Sequence, residues 1–245
     1  MNGSADIKDQ NAPGTLAEVL RIVNTFSPGR LLDAPAGEGV LAGVLFETFD
    51  VTAADIAPDF YKQNDVPFVR VDLNERLPFA DGFFQHITCV EGIEHLENPF
   101  LCLREFFRII SVGGNLVITT PNIMTIKSRV RFFLYSYHDY FRFIRPAAED
   151  AYRLTLPEYE HEHINPMTYH ELRYALERAG FRVIGLYTNR RVRAKRLGVF
   201  YPVFKRIIIT LTKKTFPADP YLVGDEILEG EILIIHAQKP GTPGE

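Results

Sequence analysis

Short apolar runs alternate with helix-length amphipathic stretches along the first half of the chain, and this alternation is the strongest constraint on its fold. Five runs have the length of buried strands: RLLDA at 30–34, VTAAD at 51–55, FVRVD at 68–72, FQHITCV at 84–90 and NLVITTP at 115–121. Strands that are separated by helices pair in parallel, because each crossover returns the chain to the same end of the sheet. We therefore predict an α/β fold built on a parallel sheet.

Other helix and strand signals lie between and after these runs. Asn98 followed by Pro99 is typical of a helix start, and Thr168 with Glu171 forms a capping box for a helix that ends at Gly180. FRVIGLY at 181–187 and the apolar run after residue 229 are predicted to be the last two strands. Residues 123–165 are irregular and rich in aromatic residues, which favours an inserted lid. Because no repeat or long linker is seen, 1–245 is predicted to be one domain.

The composition excludes several classes of protein. Hydrophobic residues make up 46% of the chain and charged residues 24%, which is typical of globular proteins and not of disordered or collagen-like chains. Two cysteines, Cys89 and Cys102, are too few for a disulfide framework or a zinc site. The first fifteen residues are polar, and no apolar stretch reaches the roughly 18 residues of a membrane span. The predicted compartment is the cytoplasm.

The loop after the first apolar run carries the clearest ligand-binding signal. In LLDAPAGEGVLAGVL, Gly37 and Gly39 allow a tight turn, and the following helix offers free N–H groups at its start. Asp55 and Asp72 each end a later strand, so a parallel sheet brings both carboxylates to the edge that carries this loop. With Ala42, the glycines also satisfy G-x-G-x-x-A, the dinucleotide-binding pattern, in which Asp55 would be the ribose acid.

The chain as a whole resembles instead the class I S-adenosylmethionine-dependent methyltransferases. Their loop reads D-x-x-x-G-x-G, which the segment from Asp33 to Gly39 matches, although Pro35 stands where many relatives have glycine. The resemblance continues at Asp55, at DLNE around Asp72, in CVEGIEHLENP and in GGNLVITTPN, and covers roughly residues 15–238. The type 11 and quinone-biosynthesis groups of small-molecule methyltransferases share this style of loop.

The resemblance implies a fold and a cofactor. The fold is a Rossmann-like, doubly wound sheet of seven strands, mostly parallel with the last strand antiparallel. The cofactor is S-adenosyl-L-methionine, whose ribose hydroxyls Asp55 would bind and whose adenine would meet Asp72 and Leu73. The loop glycines and Asp33 would line its methionine moiety. The implied cofactor-binding residues are Asp33, Gly37, Gly39, Asp55, Ile56, Asp72, Leu73 and Glu91.

Structural roles remain open for several of these residues. The glycines could serve only the turn, and Asp72 could close an ordinary turn at the end of a strand. Glu91, which would border the methyl donor, could equally be a solvated loop acid.

Histidines are the candidates for removing a proton from the acceptor, because imidazole titrates near neutral pH. His95 follows the fourth strand, although it could also simply pack against the next helix. In related methyltransferases a histidine before the capped helix points into the acceptor pocket, and His163 matches it. We predict His163 and His95 as catalytic residues. His161 and His163 alternate in YEHEHINP, but their spacing marks no third ligand, so no metal site is predicted.

The implied function is methyl transfer from S-adenosylmethionine, predicted to be O-methylation of a small-molecule, glycan or lipid-linked acceptor. Two alternatives stay open: an RNA methyltransferase that uses residues 190–214, and a non-catalytic adenosylmethionine-binding protein. Asn122 is expected to touch substrate or cofactor. The aromatic stretch that would form the lid includes Tyr135, Tyr137, Tyr140 and Phe141, although core packing is the better interpretation for most of these rings.

Residues 190–214, the basic segment, contain nine Lys and Arg and no acid in a chain of net charge −4. Three interpretations fit: a peripheral membrane contact, an RNA contact, or a solvated or subunit face. RNA is disfavoured because the rest of the chain is acidic and carries no recognisable RNA-binding module. The membrane interpretation needs an apolar helix face, for which the candidates are Val199, Phe200, Val203, Phe204, Ile207, Ile208 and Leu211.

Overall fold

A mixed sheet of seven strands organises the molecule. The computed structural model describes residues 12–138, 163–193, 195–219 and 221–241. The strands are β1 Arg30–Asp33, β2 Asp50–Asp55, β3 Phe68–Arg70, β4 Phe84–Cys89, β5 Ile110–Pro121, β6 Arg182–Tyr187 and β7 Ile232–Gln238. Their order is β3-β2-β1-β4-β5-β7-β6, and β7 runs antiparallel to both neighbours. The predicted sheet, with its antiparallel last strand, is confirmed.

Helices cover both faces of this sheet. They are α1 Thr15–Val23, α2 Val40–Leu45, α3 Pro99–Ile109, α4 Ile126–Tyr135, α5 Tyr169–Ala179, α6 Tyr201–Thr215 and α7 Asp225–Leu228. Successive strand side chains point to opposite faces, so Leu31 packs with α1 and α2 while Leu32 packs with α3 and α5. The result is one apolar core on each side of the sheet.

The predicted helix caps are present in the structure as side-chain hydrogen bonds. The side chain of Asn98 accepts a hydrogen bond from the Leu101 N–H at 3.0 Å, and Pro99 occupies the first turn of α3. Thr168 and Glu171 form both bonds of a capping box at the start of α5, which ends at Gly180 with φ of 112°. These caps fix where the two helices begin on the sheet.

The strand order reverses between β1 and β4, and this reversal positions the candidate site. β1 pairs in parallel with β2 on one side and with β4 on the other, so that Leu31 lies opposite both Val51 and His86. The loops that leave β1 and β4 turn to opposite faces and open a crevice at the carboxyl edge of the sheet. Ligands of doubly wound folds bind at such a point.

The structure differs from the sequence expectations around β5. This strand begins at Ile110, five residues ahead of the strand predicted at 115–121. Part of the predicted lid is a helix, α4, which the Thr125 side chain caps by accepting from the Ser128 N–H at 3.0 Å. Residues 139–162 of the predicted lid, which include Tyr140, Phe141 and His161, lie outside the described residues. An aromatic lid therefore stays a prediction.

Asn122 corrects a sequence expectation. Its side chain is buried, and its amide donates to the carbonyl oxygens of Glu226, Ile227 and Gly230 at 2.8–3.0 Å. Its carbonyl oxygen accepts from the Met124 N–H. The predicted contact with substrate or cofactor is wrong, because these bonds use the side chain to hold the α7–β7 connection against the end of β5.

Several cations of the basic segment form ion pairs with acidic residues of the same domain. Lys205 pairs with Asp225 and Glu229, and Arg193 also faces Glu229. Arg191 pairs with Asp225 at 2.8 Å, and Arg190 pairs with Glu231. The acids belong to the α7–β7 connection, so at least four of the nine cations tie the segment to the sheet.

Helix α6 packs on the domain through one side and leaves the other bare. Tyr201, Ile208 and Ile209 contact the buried pair Ile126 and Leu228. Ile208 therefore faces inward, contrary to its predicted place on the outer face. The outward apolar side chains are Val199, Phe200, Val203, Phe204, Ile207 and Leu211. No helix in the described residues has the length and apolarity to span a bilayer.

Candidate active site

Asp33 ends β1 and is almost fully buried beneath the first loop. Its Oδ1 accepts a hydrogen bond from the Thr88 hydroxyl on β4 at 2.8 Å. Burial raises the pKa of Asp33 to about 7, and the nearby Asp55 carboxylate adds to the rise. The Thr88 hydroxyl opposes that shift. A carboxyl group in this state is suited to a cationic ligand, which would favour its ionised form.

The two predicted loop glycines are held in different surroundings. Both have positive φ, 51° at Gly37 and 81° at Gly39, a conformation that favours glycine. A Cβ on Gly39 would lie 2.5 Å from Cε2 of Tyr61 and 2.7 Å from Cγ of Gln63. A Cβ on Gly37 would meet nothing within 4 Å. Gly39 therefore serves packing at the start of α2, whereas Gly37 stands beside open space.

Asp55 ends β2 and joins the same loop. Its Oδ2 accepts from the Gly37 N–H at 2.8 Å, and its Oδ1 accepts from the Ala57 N–H at 3.1 Å. The loop is tied further to β2 by a bond from the Ala36 N–H to the Ala54 oxygen. Each carboxylate oxygen has more than one lone pair, so a ligand diol could still donate to it.

The remaining predicted residues along β2 and β3 have less distinctive positions. Ile56 follows Asp55 and is exposed. Asp72 accepts from the Asn74 N–H at 2.8 Å, which is the strand-end turn left open as its structural role. Leu73 is buried in the core with Leu77. A cofactor contact for these residues stays a prediction.

Glu91 follows β4 and is anchored. It has φ of 49°, uncommon for a residue with a side chain. Its N–H donates to the Thr119 hydroxyl at 2.9 Å, and that hydroxyl donates back to Oε1 of Glu91 at 2.9 Å. At Gly92 a Cβ would lie 2.3 Å from Cδ of Pro35. The loop after β4 thus packs directly on the loop after β1, which opposes the interpretation of Glu91 as a solvated acid.

Both predicted catalytic histidines lie at this edge and touch each other. His95 sits on a short 3-10 turn, Ile93–His95, and its ring centroid is 4.8 Å from that of His163. The backbone N–H groups of Ile164 and Asn165 donate to the oxygen of Glu94 at 2.9 Å each. The chain before α5 is therefore fastened to the loop after β4, although 68 positions separate the two histidines.

Glu94 is the residue that sequence reasoning missed. Its carboxyl oxygens, Nδ1 or Nε2 of His95 and Nδ1 or Nε2 of His163 offer ligand atoms that all lie within 4.8 Å of one another. Glu94 is fully buried. Its position between two singled-out residues, Glu91 and His95, was the available signal, but nothing in the sequence showed that its side chain points inward.

The arrangement fits the cofactor that the resemblance implies. Asp33 offers a buried carboxyl suited to an ammonium group, Gly37 leaves open space beside the backbone, and Asp55 offers acceptors for a diol. No phosphate cradle is needed, since S-adenosylmethionine carries an amino acid, a ribose and a base. The histidines lie beyond Glu91 along the same edge, where an acceptor could approach.

Comparison with known proteins relates the chain to methyltransferases. A ubiquinone biosynthesis O-methyltransferase of Psychrobacter arcticus is 25% identical over 164 residues, which are 57% of this chain and 64% of that protein. A ubiquinone/menaquinone biosynthesis C-methyltransferase of Geotalea uraniireducens is 30% identical over 122 residues, or 43% and 52% of the two chains. The matched region thus spans between about half and two thirds of these relatives.

Solved structures share the fold over nearly the whole chain. A SAM-dependent methyltransferase from Archaeoglobus fulgidus superposes with a TM-score of 0.59 at 20% identity, covering 91% of this chain and 92% of that one. The family model described as "Methyltransferase domain" matches residues 10–186, more than half of the chain. The protein belongs to the methyltransferase domain family.

Proposed function

We propose that the enzyme transfers the methyl group of S-adenosylmethionine to a hydroxyl oxygen of a small-molecule, glycan or lipid-linked acceptor. The observation that carries the proposal is the contact between His95 and His163 at the carboxyl edge of β4. Oxygen acceptors need help with a proton, and imidazole is the side chain suited to that task near neutral pH. Two imidazoles beside the cofactor loop supply it.

The chain's own groups divide the work. S-Adenosylmethionine supplies a methyl group on a positively charged sulfur. Asp33 and Asp55 hold its amino acid and ribose, which fixes the direction in which the methyl group points. The histidines accept the proton of the acceptor hydroxyl while the acceptor oxygen forms a bond to the methyl carbon. The carbon–sulfur bond breaks, and its electron pair stays on sulfur.

The names of the relatives support small-molecule methylation. Psychrobacter arcticus contributes an O-methyltransferase and Geotalea uraniireducens a C-methyltransferase, both of quinone biosynthesis. We favour oxygen because a contact pair of histidines suits a hydroxyl acceptor. The RNA alternative is weakened because four cations of the basic segment already form ion pairs with acids of this protein, namely Arg190, Arg191, Arg193 and Lys205. A non-catalytic adenosylmethionine-binding protein would not account for the contact between His95 and His163.

A peripheral membrane contact is part of this proposal. Phe200, immediately before α6, is 72% exposed, and Val203, Ile207 and Leu211 of α6 follow it at helical spacing. Lys213 and Lys214 lie in its last turn. An apolar face with cations beside it matches an anionic bilayer surface, where each cation contributes about 1 kcal/mol. Such a surface would bring the enzyme to a lipid-linked acceptor.

Methyl transfer to three simple probes tests the chemistry. Purified protein with labelled S-adenosylmethionine is offered phenol, aniline and acetylacetone as oxygen, nitrogen and carbon acceptors. We expect product from phenol only. His95→Ala and His163→Ala should each lower turnover about 100- to 10,000-fold with cofactor affinity unchanged. His170→Ala, at an exposed position on α5, is the matched control. Methylation of aniline alone, or full turnover in both histidine variants, would overturn the proposal.

A further inference from the structure

Glu94 is a buried acid that the fold leaves unsatisfied. It is fully buried, and neither carboxyl oxygen has a hydrogen-bond partner among the described residues. The buried hydroxyl of Thr120 also lacks a hydrogen-bond partner in the described part of the chain. Such a group costs stability unless something compensates it.

The side chains nearest to this acid are metal ligands by chemistry. One ligand atom each from Glu94, His95 and His163 can be chosen so that all three lie within 4.8 Å of one another. Two imidazole nitrogens and one carboxylate oxygen form a donor set that suits Zn²⁺ and similar transition-metal cations better than Mg²⁺ or Ca²⁺. Three protein ligands also leave a coordination position open, as catalytic sites do.

We propose that Glu94, His95 and His163 bind one divalent transition-metal cation of the Zn²⁺ class. The cation balances the charge of the buried Glu94 carboxylate and accounts for the contact between His95 and His163. Chain spacing alone predicted no metal, because it paired His163 with His161 and could not show that His163 returns to the loop after β4. Hydrogen bonds from Ile164 and Asn165 to the Glu94 backbone already hold the ligands together.

The site lies beside the cofactor loop. Gly92, two residues before Glu94, is packed on Pro35 of that loop. A cation held here would therefore lie at the loop that packs on the cofactor loop, rather than at a remote structural position.

This inference rests on the proposed O-methylation and deepens it. A hydroxyl acceptor that enters the open position becomes more acidic, because a bound dication lowers the pKa of a coordinated oxygen. Its proton then passes to water at neutral pH. The substrate class is thus an acceptor whose reacting hydroxyl is able to coordinate a metal. In this arrangement His95 and His163 bind the cation, and the cation rather than a free imidazole promotes loss of the proton.

Metal binding is measured directly, apart from activity. Untagged protein is stripped with EDTA, dialysed and titrated with Zn²⁺, and with Co²⁺ for its visible spectrum. We expect one cation per chain and a Co²⁺ spectrum of a nitrogen–oxygen site, with no comparable binding of Mg²⁺. Glu94→Gln and His163→Gln should weaken Zn²⁺ binding at least 100-fold, since each removes a ligand. His170→Gln, on the surface of α5, should bind as the unaltered protein does.

Each outcome bears on one proposal. Absence of stoichiometric Zn²⁺ and Co²⁺ binding, or wild-type binding by both ligand variants, overturns the metal site. If EDTA-treated enzyme still methylates phenol at the full rate, the histidines act as direct bases and O-methylation stands. If Zn²⁺ binds with the expected ligand dependence but only aniline is methylated, the metal site stands and O-methylation falls. Circular dichroism of Glu94→Gln verifies that lost binding does not reflect unfolding.

Discussion

Replacing Asp33 by Asn should make the cofactor-free protein more stable at alkaline pH. The side chain is fully enclosed, and burial raises its pKa to about 7 from the ordinary 3.8. Asn keeps an oxygen for the Thr88 hydroxyl, which now donates to Oδ1 at 2.8 Å, but it cannot ionise. The substitution thus removes the cost of a buried charge while it preserves the shape.

The sign follows from proton binding. Between the two pKa values the unfolded chain releases the Asp33 proton and the folded protein retains it. The free energy of unfolding therefore falls as the pH rises, and the stability held below pH 3.8 is lost by the time the pH passes 7. At about 1.4 kcal/mol per pH unit, the loss between pH 5 and pH 8.5 amounts to about 3 kcal/mol. The Asp33→Asn variant should not show this loss, because its side chain does not ionise.

Urea unfolding of both proteins at several pH values measures this difference. The advantage of Asp33→Asn over the unaltered protein should grow by about 3 kcal/mol from pH 5 to pH 8.5. A fixed offset from altered packing does not affect that slope. Asp65→Asn, an exposed acid, makes the same charge change and should show no such slope. Parallel stability curves for wild type and Asp33→Asn would refute the view that burial controls this carboxyl.

Three further predictions concern the cofactor loop and α6. Gly37→Ala should cost about 1 kcal/mol of stability because of its positive φ, and it should weaken cofactor binding at least tenfold by calorimetry. Gly39→Ala should in addition lower the melting temperature, because its Cβ collides with Tyr61. Asp55→Ala should weaken the binding of S-adenosylhomocysteine by several kcal/mol, since charge-assisted bonds contribute about 1.5–3 kcal/mol each; unchanged affinity would mean that another group binds the ribose. Vesicles with anionic lipid should sediment the protein, less so in high salt and less so after Phe200→Ser with Phe204→Ser; equal sedimentation with neutral vesicles would contradict the membrane contact.

Local signals in the sequence predicted a large part of the fold. The apolar runs gave β1, β2 and β4 to within a residue or two, and the caps at Asn98 and Thr168 marked the starts of α3 and α5. The antiparallel direction of β7 came only from the family resemblance. An apolar run reads the same in either direction, so the chain alone could not supply it.

The candidate site was predictable only where its residues are close in the sequence. The loop from Asp33 to Gly39 and the strand-end Asp55 form one local unit, and the structure joins them by hydrogen bonds. The partnership of Glu94 with His163 depends on how the chain before α5 returns to the sheet. Asn122 was assigned wrongly for the same reason, because its partners lie more than 100 positions away.

The position of β7 has a consequence for how the protein is made. This strand inserts between β5 and β6 and pairs with both, from Asn115 opposite Gln238 to Tyr187 opposite Ile234. A ribosome synthesises β5 and β6 well before it reaches β7, so a nascent chain holds two strands with no mutual pairing and an open apolar edge on β5. Such edges invite aggregation. This half of the sheet must close after residue 238 has emerged, and a nascent chain stalled before it would be a client for chaperones.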